Sequence, residues 1–273
     1  LRSCELHHLH HETLDADALH ARFPGYRLPP YMVGVYQPDG GFVMSERAIV
    51  AHVNAAHDAG AEVHAREPVV AWEPDGGGVR VRTPRHSYTA AKLVLTAGPW
   101  ASKLVPALAR LAVAERQVLI WTRPLRPEWF RLDTFPVFNM EGPVGRFYGF
   151  PEYGVPGFKF GKYHHRDEAT DADRVDRAIH PQDEAVLREG IRLYFPDANG
   201  PTMALKTCLF TNSPDEHFIL DVHPEFPQVS IAAGFSGHGF KFASVVGEIM
   251  AELAMDGRSR WDLNLFRLDR FAA

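Results

Sequence analysis

The sequence contains few cysteines and no long apolar run, and both shortages limit the kind of protein that it encodes. Its 273 residues include two cysteines, Cys4 and Cys208, which are too few for a disulfide framework and suit a reducing cytosol. No apolar stretch reaches the roughly 18 residues of a membrane span, and the first residues lack the apolar centre of a secretory signal. We therefore expect a cytoplasmic protein without a membrane partner.

Basic stripes and metal-binding clusters are scarce as well. The net charge is −5 with histidines counted as neutral, and no long basic stripe suits nucleic acid, so we expect no nucleic-acid partner. The run HHLHH at positions 7–11 lacks a nearby acid cluster or a second coordinating segment. It is more typical of a solvated strand or loop, and we predict no metal site.

Helix and strand signals alternate along much of the chain. Apolar residues make up 45% of the sequence, which is enough for a sizeable core. Helices are predicted at 14–25, with Asp15 as the N-cap, at 45–60, with Ser45 as the N-cap and Ile49 and Val50 on the apolar face, and at 180–195. A strand is predicted to begin at 61–64, directly after the second helix.

Further strand signals divide the chain into two parts. A hairpin is predicted around Asp75–Gly78, a buried strand at 92–98, and a last strand, turn and helix at 228–257. Between about 116 and 160 the pattern becomes β-rich with many prolines. The sequence therefore predicts a mixed α/β fold with two intertwined parts, one α/β part at 42–112 and 214–273, and one β-rich part at 1–41 and 113–213.

Two glycine-bearing turns follow predicted strands. The stretch AAGFSGHGFKFA, from Ala232 to Ala243, leads from a strand into a helix, and LVLTAGPWA, from Leu93 to Ala101, also follows a buried strand. Glycines at a helix N-terminus expose backbone N–H groups, so such a turn suits an anion or a polarised carbonyl. The alternative is a tight packing turn between strand and helix, and on these residues alone both interpretations stay open.

Three segments resemble one enzyme family. TCLFTNSPDEHFILDVHPEFPQVSIAAGFSGHGFKFASVVGEIMAELAMDG, at 207–257, closely resembles the carboxy-terminal part of monomeric sarcosine oxidases and N-methyltryptophan oxidases. These are flavin-dependent amine oxidases of the D-amino-acid-oxidase-like superfamily. LVLTAGPWASKL is similar to the family's mid-chain flavin-domain turn, and FYGFPEYGVPGFKFGKYHH is similar to its substrate-domain strand pair. The resemblance covers nearly the whole chain.

The resemblance implies a two-domain flavoprotein. Residues 42–112 and 214–273 would belong to a Rossmann-like FAD-binding domain, and residues 1–41 and 113–213 to a substrate domain. Family members begin with a strand and a G-x-G-x-x-G turn that holds the FAD pyrophosphate, and this sequence contains no such motif. We therefore expect the amino-terminal βαβ unit of the family to be missing from this chain, and FAD binding to be weak without it.

The resemblance also assigns roles to individual residues. Cys208 would form a thioether to the 8α-methyl group of FAD, the alternative being a small buried apolar residue. Lys159 would lie over the flavin and promote oxygen reduction, the alternative being an edge-strand lysine with a solvated head. Lys241 would bind the substrate carboxylate. Tyr148 would lie on the substrate side, and a histidine near the substrate matches His164 or His165, with His164 preferred.

Further residues would contact the cofactor, with ordinary packing as the alternative for each. They are Ala97, Gly98, Trp100, Thr211, Gly234, Gly237, His238, Gly239 and Phe240.

The activity implied by the resemblance is oxidation of a secondary amino acid, N-methyl or cyclic, to an imine. FAD would be reduced, and O2 would then be reduced to H2O2. The partners are thus a small amino acid and O2, and the whole protein is expected to be a monomer. Two alternatives stay open: a truncated, non-catalytic remnant of such an oxidase, and an FAD-dependent dehydrogenase that uses another electron acceptor.

Overall fold

Two compact units make up the part of the chain that the structure describes, residues 1–272 of a computed structural model. Unit 1 comprises Leu1–Phe42, Arg116–Glu168 and Val175–Cys208. Unit 2 comprises Val43–Glu115, Ala169–Arg174 and the residues from Leu209 onward. The chain thus passes between the units several times. That unit 2 is an FAD-binding domain and unit 1 a substrate domain stays a prediction.

Six α-helices and fourteen strands form within the described residues. The helices are α1 (Arg2–Leu6), α2 (Ala16–Arg22), α3 (Ser45–Asp58), α4 (Ala101–Leu104), α5 (Pro181–Tyr194) and α6 (Ala243–Asp256). The first seven strands are β1 (Glu12–Asp15), β2 (Val33–Tyr36), β3 (Ala71–Asp75), β4 (Gly78–Arg82), β5 (Ser87–Ala90), β6 (Leu93–Leu95) and β7 (Val113–Thr122). The remaining strands are β8 (Phe138–Gly142), β9 (Gly145–Phe150), β10 (Phe158–Lys162), β11 (Glu168–Ala169), β12 (Thr202–Asn212), β13 (Ile219–Val222) and β14 (Val229–Ala233).

One six-stranded sheet organises unit 1. Its order is β11-β7-β10-β9-β8, with β12 also paired to β7. Side chains alternate across a strand, so each face collects every second residue. Phe147, Phe158 and Phe160 are fully buried on one face, where Leu187 and Ile191 of α5 pack in the same aromatic core. The residues between them, including Tyr148 and Lys159, therefore project from the opposite face.

Helix α5 is fixed to this sheet through a buried acid. The Asp183 carboxylate accepts two hydrogen bonds from Arg116, at 2.8 and 2.9 Å, and another from the backbone N–H of His180 at the start of α5. Burial alone would raise the pKa of Asp183, but the bonds from Arg116 and His180 outweigh it and hold that pKa well below its usual range. One side chain thus caps the helix and neutralises a buried guanidinium.

Two three-stranded sheets lie in unit 2. In one, β14 pairs antiparallel with β13 and parallel with β6, and every residue of β14 is buried. Its odd-numbered apolar residues pack with Leu95 and Leu108, whereas Ala232 faces Val246 and Ile249 of α6. A strand buried on both faces explains why this run is continuously apolar. The other sheet, β3-β4-β5, is an antiparallel meander.

Most of the predicted elements are confirmed. Asp15 caps α2 by accepting from the backbone N–H of Ala18 at 2.8 Å, and β3 and β4 form the hairpin at Asp75 and Gly78. The helix at 180–195 and the last strand, turn and helix also form where the pattern predicts them. Among residues 1–272, no helix combines the length and the apolar character that a membrane span requires.

Two local predictions around α3 are wrong. Ser45 is the first helical residue, not the N-cap, which is Met44 and has no capping side-chain bond. The segment 61–64 forms no strand, because no neighbouring strand of the described residues pairs with it and Val63 is exposed. The apolar face of α3 is likewise exposed, with Ile49 and Val50 more than half accessible. The amphipathic pattern predicted helix α3 correctly, but it does not show which part of a protein packs against the apolar face of the helix.

Candidate active site

The face of the unit 1 sheet opposite its phenylalanine core carries the predicted site residues Tyr148 and Lys159, and we call it the functional face. Lys159 pairs with Trp121 of β7 on one side and with Phe150 of β9 on the other. Its Nζ atom lies 5.3 Å from the centre of the Trp121 ring and 4.8 Å from that of Phe150. These rings restrict the ammonium group and stabilise it through cation–π contacts. The predicted edge-strand alternative does not apply, because β10 lies between β7 and β9.

Tyr148 lies on the same face and is closely packed. It pairs with Gly161 across the sheet, and a Cβ atom at Gly161 would collide with the phenol ring. Burial raises the pKa of Tyr148, and the neighbouring Cys208 thiol and Tyr163 phenol add to the rise. Tyr148 therefore keeps its proton at neutral pH, and its hydroxyl is able to donate a hydrogen bond.

Cys208 is a half-buried residue of β12 that forms no disulfide with the other described cysteine. It lies close enough to the Tyr148 phenol to affect its ionisation. A thiol outside any disulfide, near a predicted substrate residue, is compatible with the predicted flavin attachment, which stays a prediction.

The two adjacent histidines after β10 occupy different environments. His164 is half-buried in the turn, with a left-handed backbone (φ 50°) that non-glycine residues seldom adopt. His165 is buried, and its Nε2 atom lies 3.4 Å from Asp183. Burial lowers the pKa of His165, so this ring stays neutral. His165 thus belongs to the Asp183 cluster, which leaves His164 as the predicted substrate histidine of the pair.

In unit 2, both glycine-bearing turns leave the same edge of one sheet. Strands β6 and β14 run parallel, with Leu95 opposite Ile231, so their carboxyl ends lie side by side. Gly98 follows β6 and Gly234 follows β14, and both have left-handed backbones, with φ of 52° and 63°. In open α/β sheets, ligands bind outside the carboxyl ends of such strands. This geometry supports the interpretation of the turns as parts of one binding site.

Some of the glycines have reasons within the fold itself. A Cβ atom at Gly237 would collide with the ring of Phe210, and one at Gly239 would collide with Phe235. At Gly98, in contrast, no described atom lies within 4 Å of the position of an added Cβ. Packing therefore accounts for Gly237 and Gly239, the alternative left open by the sequence, while the backbone at Gly98 is open to a ligand.

Two buried serines that sequence reasoning missed hold the longer turn in place. Ser236 has a left-handed backbone (φ 49°), and its N–H donates to the backbone oxygen of Thr211 at 2.9 Å. Its hydroxyl donates to the Gly234 carbonyl at 3.1 Å and accepts from the Ser213 N–H at 3.2 Å. The signal was present as a serine within the glycine motif, but small polar residues are common in turns of every kind.

His238 and Lys241 differ in how firmly they are held. The Nε2 atom of His238 lies 2.9 Å from the Glu216 carbonyl, and its ring packs against Phe218 at 4.9 Å. Because a carbonyl only accepts, Nε2 of His238 is the donor of this bond. Lys241 is exposed beside Phe240, which is also exposed, just before the fourteen-residue helix α6. An exposed cation at a helix N-terminus suits an anionic ligand group.

The Trp100 side chain is fixed by a segment that the sequence did not single out. Its indole N–H donates to Asp173 at 2.6 Å, and Lys103 donates to both Asp171 and Asp173. Bonds from Lys103 hold the pKa values of both aspartates below their usual range. This cluster orients the ring that follows Gly98.

The residues of unit 2 fit a bound FAD molecule. The open backbone at Gly98 and the lack of a capping side chain on α6 among the described residues suit an anionic or carbonyl-bearing group. No basic cluster or metal ligand set is needed to explain this edge of the sheet.

A family model for FAD-dependent oxidoreductases, the DAO family, matches residues 1–253. The chain belongs to this family. Monomeric sarcosine oxidase from Bacillus sp. strain NS-129 is 38% identical over 279 residues, which cover 100% of this chain and 71% of that protein. N-methyl-L-tryptophan oxidase from Escherichia coli O127:H6 is 37% identical, over 98% of this chain and 72% of that enzyme.

Solved structures lead to the same family. NikD, an amino acid oxidase essential for nikkomycin biosynthesis, superposes with a TM-score of 0.78 at 25% identity, covering 97% of this chain and 70% of NikD. Glycine oxidase from Geobacillus kaustophilus shares the fold, with a TM-score of 0.74 at 20% identity. The predicted family and the predicted mixed α/β fold class are thus confirmed.

Proposed function

We propose that this protein is an FAD-dependent oxidase that converts a secondary amino acid, N-methyl or cyclic, to an imine and reduces O2 to H2O2. The relatives named above act on sarcosine and on N-methyl-L-tryptophan, which are both N-methyl amino acids. The observation that carries the proposal is the lysine held between two aromatic rings on the functional face of unit 1. Such a cation suits a reaction in which negative charge develops on oxygen.

FAD would be bound by the two turns at the carboxyl edge of β6 and β14. When bound, FAD supplies the two-electron chemistry that oxidises the carbon–nitrogen bond. Gly98 would admit the cofactor close to the backbone, Gly234 would shape the second turn through its left-handed backbone, and His238, held at the Glu216 carbonyl, would present its ring to the cofactor. The predicted roles of Ala97, Trp100 and Phe240 in cofactor binding form part of this proposal.

Cys208 would join the cofactor covalently. The thiol would hold FAD through a thioether at the 8α-carbon, with one C–H bond of that carbon and the S–H bond given up and O2 as the acceptor of the two electrons. Nothing else is required beyond the thiol and the oxygen that the proposed reaction already uses. The thiol's position near the Tyr148 phenol brings attachment and substrate chemistry close together in unit 1.

The substrate would be bound through its polar groups. Lys241 would pair with the carboxylate, because its ammonium group is exposed at the N-terminal side of α6, where the helix dipole also favours negative charge. Tyr148, which keeps its proton, would donate a hydrogen bond to the substrate. Lys159 would stabilise the anion that forms when O2 accepts an electron.

Flavin content and oxygen uptake together test the proposal. The full-length protein is purified, loaded with FAD and supplied with sarcosine, N-methyl-L-tryptophan, L-proline and L-pipecolate in turn. We expect at least one substrate to consume O2 with an equal yield of H2O2. Oxidation only in the presence of an artificial electron acceptor would identify a dehydrogenase, and bound flavin that no amine reduces would indicate a non-catalytic relative.

The assembly and location follow as parts of the same proposal. We infer a monomer in the cytoplasm, which size-exclusion chromatography with light scattering and cell fractionation would test.

A further inference from the structure

Tyr163 lies on the functional face of unit 1, although no motif singled it out. Its backbone N–H donates to the Arg146 carbonyl at 2.9 Å, which continues the ladder between β9 and β10 by one position beyond Lys162. Since side chains alternate, Tyr163 projects to the same side as Lys159 and Gly161. His164 follows one position later, where the chain turns with a left-handed backbone.

The Tyr163 side chain is held by three neighbours. Its ring packs edge-on against Tyr148, with centres 5.1 Å apart and planes at 69°. The Arg146 guanidinium lies 4.3 Å from the ring centre, and the Asn139 amide donates to the phenol oxygen at 3.3 Å. Asn139 also accepts from Arg146 at 3.2 Å, so the four side chains form one connected group. The ring therefore has a fixed orientation before any ligand binds.

The two tyrosines form an aromatic corner. Tyr148 lies flat over Gly161, which leaves no room for a side chain there, and Tyr163 stands at a steep angle to it. Phe150 continues the apolar surface along β9, with its ring 6.4 Å from that of Tyr148. Perpendicular aromatic walls attract a flat apolar group through edge-to-face and stacking contacts.

We propose that Tyr163, together with Tyr148, forms an aromatic subsite that binds a ring of the substrate, so that a ring-bearing secondary amino acid is preferred over sarcosine. This inference rests on the proposed function and names the substrate class within it. A small N-methyl group with no ring leaves the walls of such a corner in contact with water. A ring of pyrrolidine, piperidine or indole size covers them and gains the contacts.

Ligand binding, measured without turnover, tests the subsite. Pyrrole-2-carboxylate serves as a ring-bearing probe that lacks an oxidisable carbon beside its nitrogen, and acetate serves as the ring-free probe. Their dissociation constants are determined on the FAD-loaded protein by calorimetry. We expect Tyr163→Ala to raise the dissociation constant of pyrrole-2-carboxylate about tenfold and to change that of acetate less than twofold. Tyr163→Phe keeps the ring, so it should change both dissociation constants by less than about threefold.

Controls separate this result from misfolding and from failure of the proposed function. Tyr31→Ala removes an exposed tyrosine of the same unit and should leave both dissociation constants unchanged. Equal weakening of both probes, or no change for either, would overturn the subsite; if Tyr163→Ala fails to fold, Tyr163→Leu replaces it. If the protein oxidises no amine but still prefers the ring-bearing probe in a way that depends on Tyr163, the subsite proposal would stand and the oxidase proposal would be refuted. Oxidation with equal efficiency for sarcosine and L-proline in the wild type would retain the oxidase and refute the subsite.

Discussion

At the scale of single residues, the contrast between Lys159 and its neighbour Lys162 is instructive. Lys159 has its ammonium group between Trp121 and Phe150, whereas Lys162 pairs with Phe147 and its side chain lies against Gly145. Two lysines three positions apart thus share a strand, a charge and a similar exposure but project to opposite faces. They provide a matched pair for testing what the charge of Lys159 does.

Lys159→Met should slow reoxidation of the reduced flavin far more than its reduction by substrate. A fixed cation contributes most where negative charge develops, and loss of one such preorganised group costs about 10²–10³ in rate. Stopped-flow absorbance of the two half-reactions measures both rates, with Lys162→Met as the control. Equal slowing of both half-reactions would assign Lys159 to substrate binding or to packing.

Cys208→Ser should abolish covalent flavin while the protein still folds, because serine keeps the size of the side chain and lacks the nucleophilic thiolate. After acid denaturation and gel electrophoresis, the wild-type band should fluoresce and the variant band should not. Cys4→Ser, at a half-buried cysteine of α1, is the control and should keep the label. Flavin that washes away from the wild type would refute the thioether.

Lys241→Ala should raise the KM for the amino acid about tenfold or more, since loss of a charged hydrogen bond costs about 1.5–3 kcal/mol. Flavin content should stay near that of the wild type. Steady-state kinetics and the absorbance ratio of flavin to protein measure the two effects, with Lys92→Ala as a control at an exposed lysine of unit 2. Lost flavin with an unchanged KM would place the lysine at the cofactor instead.

At the scale of elements, helix α5 depends on one carboxylate. Asp183 has no accessible side-chain surface, yet it binds Arg116 twice and the N-terminal backbone of α5 once. The same residue therefore joins the start of the helix to β7, and the nearby Arg166 adds a weaker contact at 3.4 Å. A neutral replacement would leave the buried guanidinium without its counter-charge.

Asp183→Asn should lower the free energy of unfolding by about 3–5 kcal/mol, the cost typical of breaking a buried ion pair from one side. Urea denaturation followed by circular dichroism measures the loss. Asp171→Asn, in an exposed pair with Lys103, is the matched control and should change the free energy by about 1 kcal/mol or less. Similar losses for the two variants would show that Asp183 is not buried as described.

At the scale of the whole molecule, two buried histidines and two salt-bridged aspartates should make the protein sensitive to acid. His165 and His223 have pKa values lowered by burial, so the folded state resists their protonation. Asp183 has a lowered pKa because Arg116 and His180 outweigh burial, and Asp215 has one because Arg270 binds it. Depressed pKa values of either kind favour the folded state at neutral pH and cost stability as the pH falls.

The free energy of unfolding should therefore be nearly constant above about pH 7 and decline in two stages. The histidines begin to reduce it below about pH 6.5, where the unfolded chain takes up protons that the folded chain does not. The aspartates add a steeper loss of stability below about pH 4, as the pH falls toward the pKa values that they have in the folded state. Denaturant titrations between pH 8 and pH 3 measure the profile; stability that rises toward pH 5 would contradict these assignments.

How much of this could be predicted from the sequence depended on whether a signal was local. The strand and helix around the glycine turn, the Asp15 cap and the hairpin at Asp75 follow from neighbouring residues, and the family motifs identified Lys159 and Tyr148. Tyr163 was missed because its importance depends on the register between β9 and β10, which no local pattern states. The strand at 61–64 failed for a related reason: alternation indicates a strand only if another strand is there to pair with it.

The close packing of Gly237 against Phe210 has a consequence for how this turn can change in evolution. A methyl group at position 237 has no space while the Phe210 ring is present, so substitutions at the two positions should occur together. A lineage that acquires Gly237→Ala would survive through a second-site suppressor that shrinks residue 210. That rescue would be partial, because the left-handed backbone of Gly237, with φ of 76°, disfavours alanine even when the ring has gone. Reversion to glycine would thus be the commoner route back.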